Sequence, residues 1–215
     1  MTKIKYGYCL DENNTLVHIS SVSAENRHSH TYICLQCGQE MIPKLSKNKE
    51  GSHESHFAHK VDTVCDGESY LHKLAKRRIR EKFTSSDSFP IELNYKRWFI
   101  KGIQQKTRRD LKSWKGKVIY DTCQEEVRIG EFQPDLLLTG PMDNKLGPVF
   151  IEVYKTHKSE ETKITSDYKI IETKKIRTEA DIDDIIENGF IEGQNCRTFN
   201  FRLNVPQVEK KKNYI

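Results

Sequence analysis

Gln133-Pro134-Asp135-Leu136-Leu137-Leu138, a turn-rich gap from Gly140 to Pro148, and then Val149-Phe150-Ile151-Glu152-Val153-Tyr154-Lys155 form the passage on which the fold turns. Two apolar runs of strand length, separated by Gly, Pro, Asp and Asn, predict a β-hairpin. Each run carries one acid among apolar neighbours, and the two acids lie 17 residues apart. Downstream, Tyr168–Glu172 is a further apolar burst. Glu179–Asn188, with Ile182, Ile185 and Ile186, reads as a short helix closed by Gly189. Phe199–Leu203 alternates like a last strand. Upstream, Phe89–Ile100, Lys117–Tyr120 and Val127–Ile129 read as strands, and 102–116 as a basic loop or short helix. Residues 67–83 predict a helix, because Leu71, Leu74, Ala75, Ile79 and Phe83 recur at three- and four-residue spacing. Before it lies a polar region with short strands such as Lys3–Leu10 and Thr15–Ile19. The pattern is that of an α/β (α+β) chain with a small β-rich head, 1–66, a core, 67–205, and a charged tail, 206–215.

Composition narrows the function. The chain has 215 residues, a net charge of +5 and 35% hydrophobic residues. No run approaches the roughly 20 apolar residues that span a bilayer, and the first residues lack an apolar stretch of signal-peptide length. Membrane and secreted classes are set aside and a cytoplasmic protein is expected. With 11 glycines and no internal period, collagen-like and repeat architectures are excluded. A charge of +5 permits a polyanionic partner without demanding one.

The head holds six of the eight histidines and four of the six cysteines. Cys34-x2-Cys37-Gly38, His56-Phe57-Ala58-His59 and Cys65 follow in order. Reduced cysteines spaced two apart on a tight turn suit a tetrahedral zinc ion, and Cys65 with one histidine completes a Cys3His set. His59 is preferred over His56 for its nearness to Cys65. Four protein ligands leave no open position, so this Zn2+ is structural. A head this short and polar gains from such a staple.

On the helix, Glu68, His72 and Lys76 are four residues apart and share a face. They point partly inward beside the apolar stripe, where charged groups need partners or a function. Asp135 and Glu152, brought together by hairpin pairing, repel unless a divalent cation sits between them. Mg2+ or Mn2+ held there would polarise a phosphoryl oxygen and generate hydroxide from water. A nearby lysine would steady the developing charge. Pro-Asp…Glu-x-x-Lys approximates the PD-(D/E)xK nuclease signature. It departs in one place: the lysine position two after Glu152 holds Tyr154, and Lys155, one later, points to the opposite face of an extended strand. Lys76 and Lys163 are candidates for the missing cation, with Lys155 only if a bulge rotates it. Glu172-Thr173-Lys174 is a rival ExK, better explained as the next strand.

The order Tyr32-x-Cys34-x2-Cys37-Gly38, His56-Phe57-Ala58-His59, Cys65, Glu68-Ser69-x2-His72-x3-Lys76, Pro134-Asp135 and Ile151-Glu152-Val153-x2-Thr156-His157 resembles the competence protein CoiA-like nucleases over roughly residues 4 to 175. That resemblance implies a zinc-ribbon-like head on a restriction-endonuclease-like mixed sheet flanked by helices. It implies a metal-dependent deoxyribonuclease in which Asp135 and Glu152 bind Mg2+ or Mn2+, Glu68 assists, and His72 and Lys76 face the scissile phosphate or the water. DNA is the expected partner, with Lys73, Arg77 and Arg80 on the basic helix, and with Arg97, Arg108 and Arg109, holding phosphates. Tyr95, Trp98, Phe99 and Trp114 are available to stack bases. The competing class is an inactive DNA-binding or complex-assembly module with a nuclease-like fold. A homo-oligomer or a protein partner in a larger complex is compatible with either.

Overall fold

The computed structural model describes residues 6–46, 54–63, 65–96, 104–142, 146–154 and 161–201, with the side chains of 67, 68, 95, 96, 104 and 105 outside that set. The chain is a mixed α+β protein, mostly sheet with few helices, and no helix among the described residues is long and apolar enough to cross a membrane.

The head is an antiparallel sheet of β1 (Tyr8–Leu10), β2 (Leu16–His18), β3 (Tyr32–Ile33), β4 (Glu40–Lys44) and β5 (His56–His59), in the order β2-β1-β3-β4-β5. The Asp11 carboxylate closes the β1–β2 hairpin by accepting from the N–H groups of Asn13 and Thr15 at 2.9 and 2.7 Å. Cys9, Tyr32, Met41 and Phe57 make a small apolar core beneath the sheet.

Helix α1 (Gly67–Ser85) follows, two residues longer than the spacing predicts. Its predicted stripe is buried: Leu71, Leu74, Ala75, Ile79 and Phe83, joined by Tyr70. The Lys112 ammonium donates to the Phe83 and Ser86 carbonyls, which the helix end leaves without intrahelical donors. Next come β6 (Pro90–Lys96) and β7 (Gln104–Asp110), antiparallel, and a hairpin of β8 (Ser113–Trp114) and β9 (Lys117–Val118). This corrects the basic loop or short helix expected over 102–116. Gln104-Gln105-Lys106-Thr107-Arg108-Arg109-Asp110 has no apolar alternation, and it forms a strand because seven residues of β6 offer it a ladder.

The core sheet comprises β10 (Thr122–Glu125), β11 (Leu136–Thr139), β12 (Val149–Glu152), then, after the short helix α2 (Glu161–Ile164), β13 (Lys169–Thr173), with helix α3 (Glu179–Asn188) and β14 (Phe190–Ile191) leading to β15 (Cys196–Phe199). Its order is β10-β11-β12-β13-β15, with β12 and β13 parallel and the other pairs antiparallel, while β14 joins β6 in parallel. The hairpin read from Leu136–Leu138 and Val149–Ile151 is present as β11–β12. Leu136, Leu138, Val149 and Ile151 face α1 and α3, while Leu137, Phe150 and Ile170 cover the opposite face with Phe132 and Tyr168. Val127–Ile129 is not a strand: Gly130 turns the chain at φ 58° and Ile129 makes only an isolated bridge to Phe132. The last strand ends at Phe199, where Asn200 adopts φ 61° and its side-chain amide donates to the carbonyls of Ile164, Ser166 and Tyr168. The predicted continuation past 201, the 206–215 tail and Phe99–Ile100 lie outside the described residues.

α3 begins at a capping box, with the Thr178 hydroxyl accepting from the Asp181 N–H and the Asp181 carboxylate accepting from the Thr178 N–H. Its first residue ties head to core: one Glu179 oxygen accepts from the Gly7 N–H at 2.8 Å and from the Tyr70 hydroxyl at 2.6 Å. A Cβ on Gly7 would stand 2.2 Å from the other Glu179 oxygen, so a side chain there would displace the carboxylate from this latch.

Candidate functional site

Cys34 follows β3, and the turn to Cys37 is closed by the Gly38 N–H donating to the Cys34 carbonyl at 3.0 Å, with Gly38 at φ 71°. His59 ends β5, and Cys65 stands just before α1. The donor atoms of Cys34, Cys37, His59 and Cys65 all lie within 4.8 Å of one another, the one such group of three or more among the described residues. Cys34 and Cys65 sulfurs are 3.8 Å apart, and Cys37 Sγ is 3.2 Å from His59 Nε2. Tetrahedral zinc with Zn–S of about 2.3 Å sets S–S edges near 3.8 Å, so these four side chains could hold a metal such as zinc. His56, three positions before His59, belongs to the other face of the strand, and its Nδ1 lies 3.0 Å from the Glu54 carbonyl oxygen. Burial pushes the Cys34 thiol up to about 12 and raises Cys65 as well. A metal cation would reverse both by binding the thiolates and releasing protons. The Tyr6 ring stands edge-on to His59 at 5.3 Å and to Tyr70 on α1 at 4.8 Å, joining cluster to core.

The second cluster lies at one end of the core sheet. Leu136 pairs with Ile151, so Asp135, one residue before β11, continues the ladder opposite Glu152. On the other side, the parallel register sets Glu152 beside Glu172. Three acids thus form a row across three adjacent chain segments. Asp135 accepts from the Val153 N–H at 2.8 Å and lies 3.2 Å from His72 Nε2. Glu152 accepts from the Lys163 ammonium of α2 at 2.9 Å, both side chains being largely buried. Glu172 is buried and paired with Arg197 of β15.

The acids differ in charge. Burial opposes ionisation of Asp135, but the His72 hydrogen bond and charge, the Val153 N–H and Lys76 together hold it below the usual carboxylate range. Burial pushes Glu152 up to about 7; Lys163 pulls against that, while Asp135 and Glu172 add to it. Burial, more than any neighbouring charge, sets the direction of the Glu152 shift.

The remaining predicted residues fall as follows. Glu68 is in the first turn of α1 with its side chain outside the described set, and Lys155 and His157 lie outside it altogether. Lys76 is buried and paired with Glu126, and with Glu125 at 3.2 Å, rather than with Glu152. Those two acids at the β10–β11 turn escaped the sequence reading, since they lie about 50 residues from Lys76 and no spacing rule points to them. Lys73 donates to the Gln36 carbonyl at 3.2 Å. Arg77 donates to Glu81 and to the Asn14 carbonyl, each at 2.6 Å, and Arg80 to Glu125 at 3.3 Å. Expected to grip phosphates, these three cations hold α1 to the head and to β10. Two further contacts were not anticipated: Arg197, which carries no motif, pairs with Glu172, and the hydroxyl of Thr173, inside the rival Glu172-Thr173-Lys174, accepts from the Tyr154 N–H at 2.9 Å. No family model, curated protein or solved structure matches the chain.

Proposed function

We propose that the chain is a divalent-metal-dependent deoxyribonuclease, with a restriction-endonuclease-like core and a zinc-stapled head. The observation that carries this reading is the opposed pair Asp135 and Glu152 at the end of a β-hairpin, with Lys163 on Glu152 and His72 on Asp135. The motif order that resembles CoiA-like nucleases supports it. The donor set suits a hard cation: two carboxylates from neighbouring segments, one of them raised to about 7 chiefly by burial, with the neighbouring acids adding to it. Mg2+ or Mn2+, when bound, supplies a Lewis acid for a phosphoryl oxygen and lowers the pKa of water.

This chain's own residues do the rest. Asp135 stays ionised and is oriented by the Val153 N–H and by His72, which acts as a positioning residue. Lys163 reaches the site from α2 rather than from β12, so the cation missing at Tyr154 arrives on another element. Its ammonium would donate to a non-bridging phosphate oxygen or orient the attacking water. Lys76, held by Glu125 and Glu126, adds positive potential toward Asp135 from further off.

The test is cleavage of linear, circular and single-stranded DNA with Mg2+, with Mn2+ and with neither. Asp135→Ala and Glu152→Ala should each lower metal-dependent cutting at least about a thousandfold while secondary structure and zinc content persist. Full activity in either variant would sink the assignment. A second reading, an inactive DNA-binding module, is favoured by Tyr154 standing at the signature's lysine position. Salt-dependent binding without cutting under any divalent ion would be its mark.

A further inference from the structure

The segment 104–118 carries Lys106, Arg108, Arg109, Lys112, Lys115 and Lys117 against Asp110 alone. Its net charge equals the +5 of the whole chain, so the other 200 residues sum to zero. β7 and the β8–β9 hairpin therefore form one strongly basic stretch of the chain.

At the tip of that hairpin, Lys115 and Gly116 both take positive φ, 49° and 76°, a two-residue turn of the type that fits the strand twist. The register pairs Trp114 with Lys117 across the turn, so both side chains stand on one face. Trp114 is 48% exposed, among the few large apolar side chains on the described surface. Arg109 lies over its ring at 5.5 Å and Lys115 at 6.0 Å. Lys106 pairs with Glu92, which the register also sets opposite Arg108, and Lys112 caps α1, but Lys115 and Lys117 meet no acid among the described residues. An exposed indole with Arg109, Lys115 and Lys117 beside it matches the chemistry of a base stacked on an aromatic ring while its flanking phosphates are neutralised.

We propose that the β8–β9 hairpin is a second nucleic-acid contact that holds a single-stranded DNA segment, with Trp114 stacking one base and Lys115 and Lys117 holding phosphates. This deepens the nuclease reading and rests on it for the choice of DNA. Lys112 anchors the segment at the C-terminal end of α1, while His72 lies near its N-terminal end. At about 1.5 Å per residue, the hairpin is roughly 17 Å along the helix from the carboxylates. A strand held at both points would run several nucleotides beyond the cut.

The test is fluorescence anisotropy with a labelled 20-nucleotide single strand and the matching duplex, across a salt series without added Mg2+ or Mn2+. Trp114→Ala should weaken single-strand binding about tenfold, leave the salt slope unchanged and affect the duplex less. The double variant Lys115→Gln, Lys117→Gln should weaken both and reduce the slope of log K against log salt by about 1.5. All three residues are on the surface, and unchanged melting checks the fold. Unaltered affinity in both variants overturns the proposal, as does absence of DNA binding by the native chain. Equal loss on single strand and duplex in Trp114→Ala overturns the stacking assignment. Hairpin-dependent binding by a native chain that never cuts would leave this contact standing and remove the nuclease. Cutting with an unchanged KM in both variants would do the reverse.

Discussion

The head sheet and the core sheet each have five strands, but they are held by different means. The head covers a few apolar residues and sets a four-donor cluster beside them. The core sheet buries apolar side chains on both faces. Their polar clusters differ in the same sense. The head's three thiols and one imidazole converge on a single point with no donor left over. The core's acids lie in a row against one lysine, one histidine and one arginine, with Glu152 still raised to about 7. A closed donor set stores folding energy, whereas an open and unbalanced one leaves capacity for chemistry.

The sharpest way to break this contrast is to deny the head the metal that its four donors could hold. A strong chelator, or Cys34→Ser with Cys65→Ser, should melt β1–β5 and cost the head as much as ~10 kcal/mol of apparent stability, while the core sheet keeps its slow hydrogen exchange. A head equally protected in the apo chain would erase the distinction. Next in size is Lys163→Met. It should cut turnover about a hundredfold with KM little changed, with Lys163→Arg recovering part of it; an unaffected kcat would return the role to another lysine.

The smallest effect is on pH. The Glu152 carboxyl is raised in the folded chain to about 7 from an ordinary 4.5, so the folded state binds its proton more tightly. Its contribution is complete below pH 4.5 and is lost as pH rises through 7. Without Mg2+, and with Zn2+ supplied, the native chain should lose about 3 kcal/mol across that window, whereas Glu152→Gln should be flatter. Asp135, shifted downward, acts in the opposite sense and only at more acid pH. Melting curves of the two proteins from pH 4.5 to 8 decide this. A native profile as flat as the variant's would mean that Glu152 is as comfortable as the head's donors.

What could be read from the residues followed local signals. α3 has the predicted bounds because Ile182 and Ile185 keep helical spacing and Gly189 closes the turn at φ 78°. The β11–β12 hairpin was visible because both strands are apolar on both faces. β7 was invisible because Gln104–Asp110 is polar throughout and its partner strand decides it. At the sites, Cys34-x2-Cys37 announced the cluster, but only strand geometry separates His59 from His56. Lys163 was one of three candidate lysines, and α2 brings it to Glu152. Lys76 was read as facing the phosphate, but its two acid partners lie some 50 residues away, a pairing no spacing rule encodes.

The Glu179 latch has a consequence for the order in which the chain is made. Gly7 and its acceptor are 172 residues apart. At about 5–20 residues per second of synthesis, the head waits roughly 10–30 s for the carboxylate that secures it. Through that interval the Tyr70 hydroxyl has only the Tyr8 backbone to bond, and early order in the head must come from its own strand ladders, its small apolar core and its donor cluster. Docking of head to core is thus a late event on the ribosome, timed by the arrival of α3.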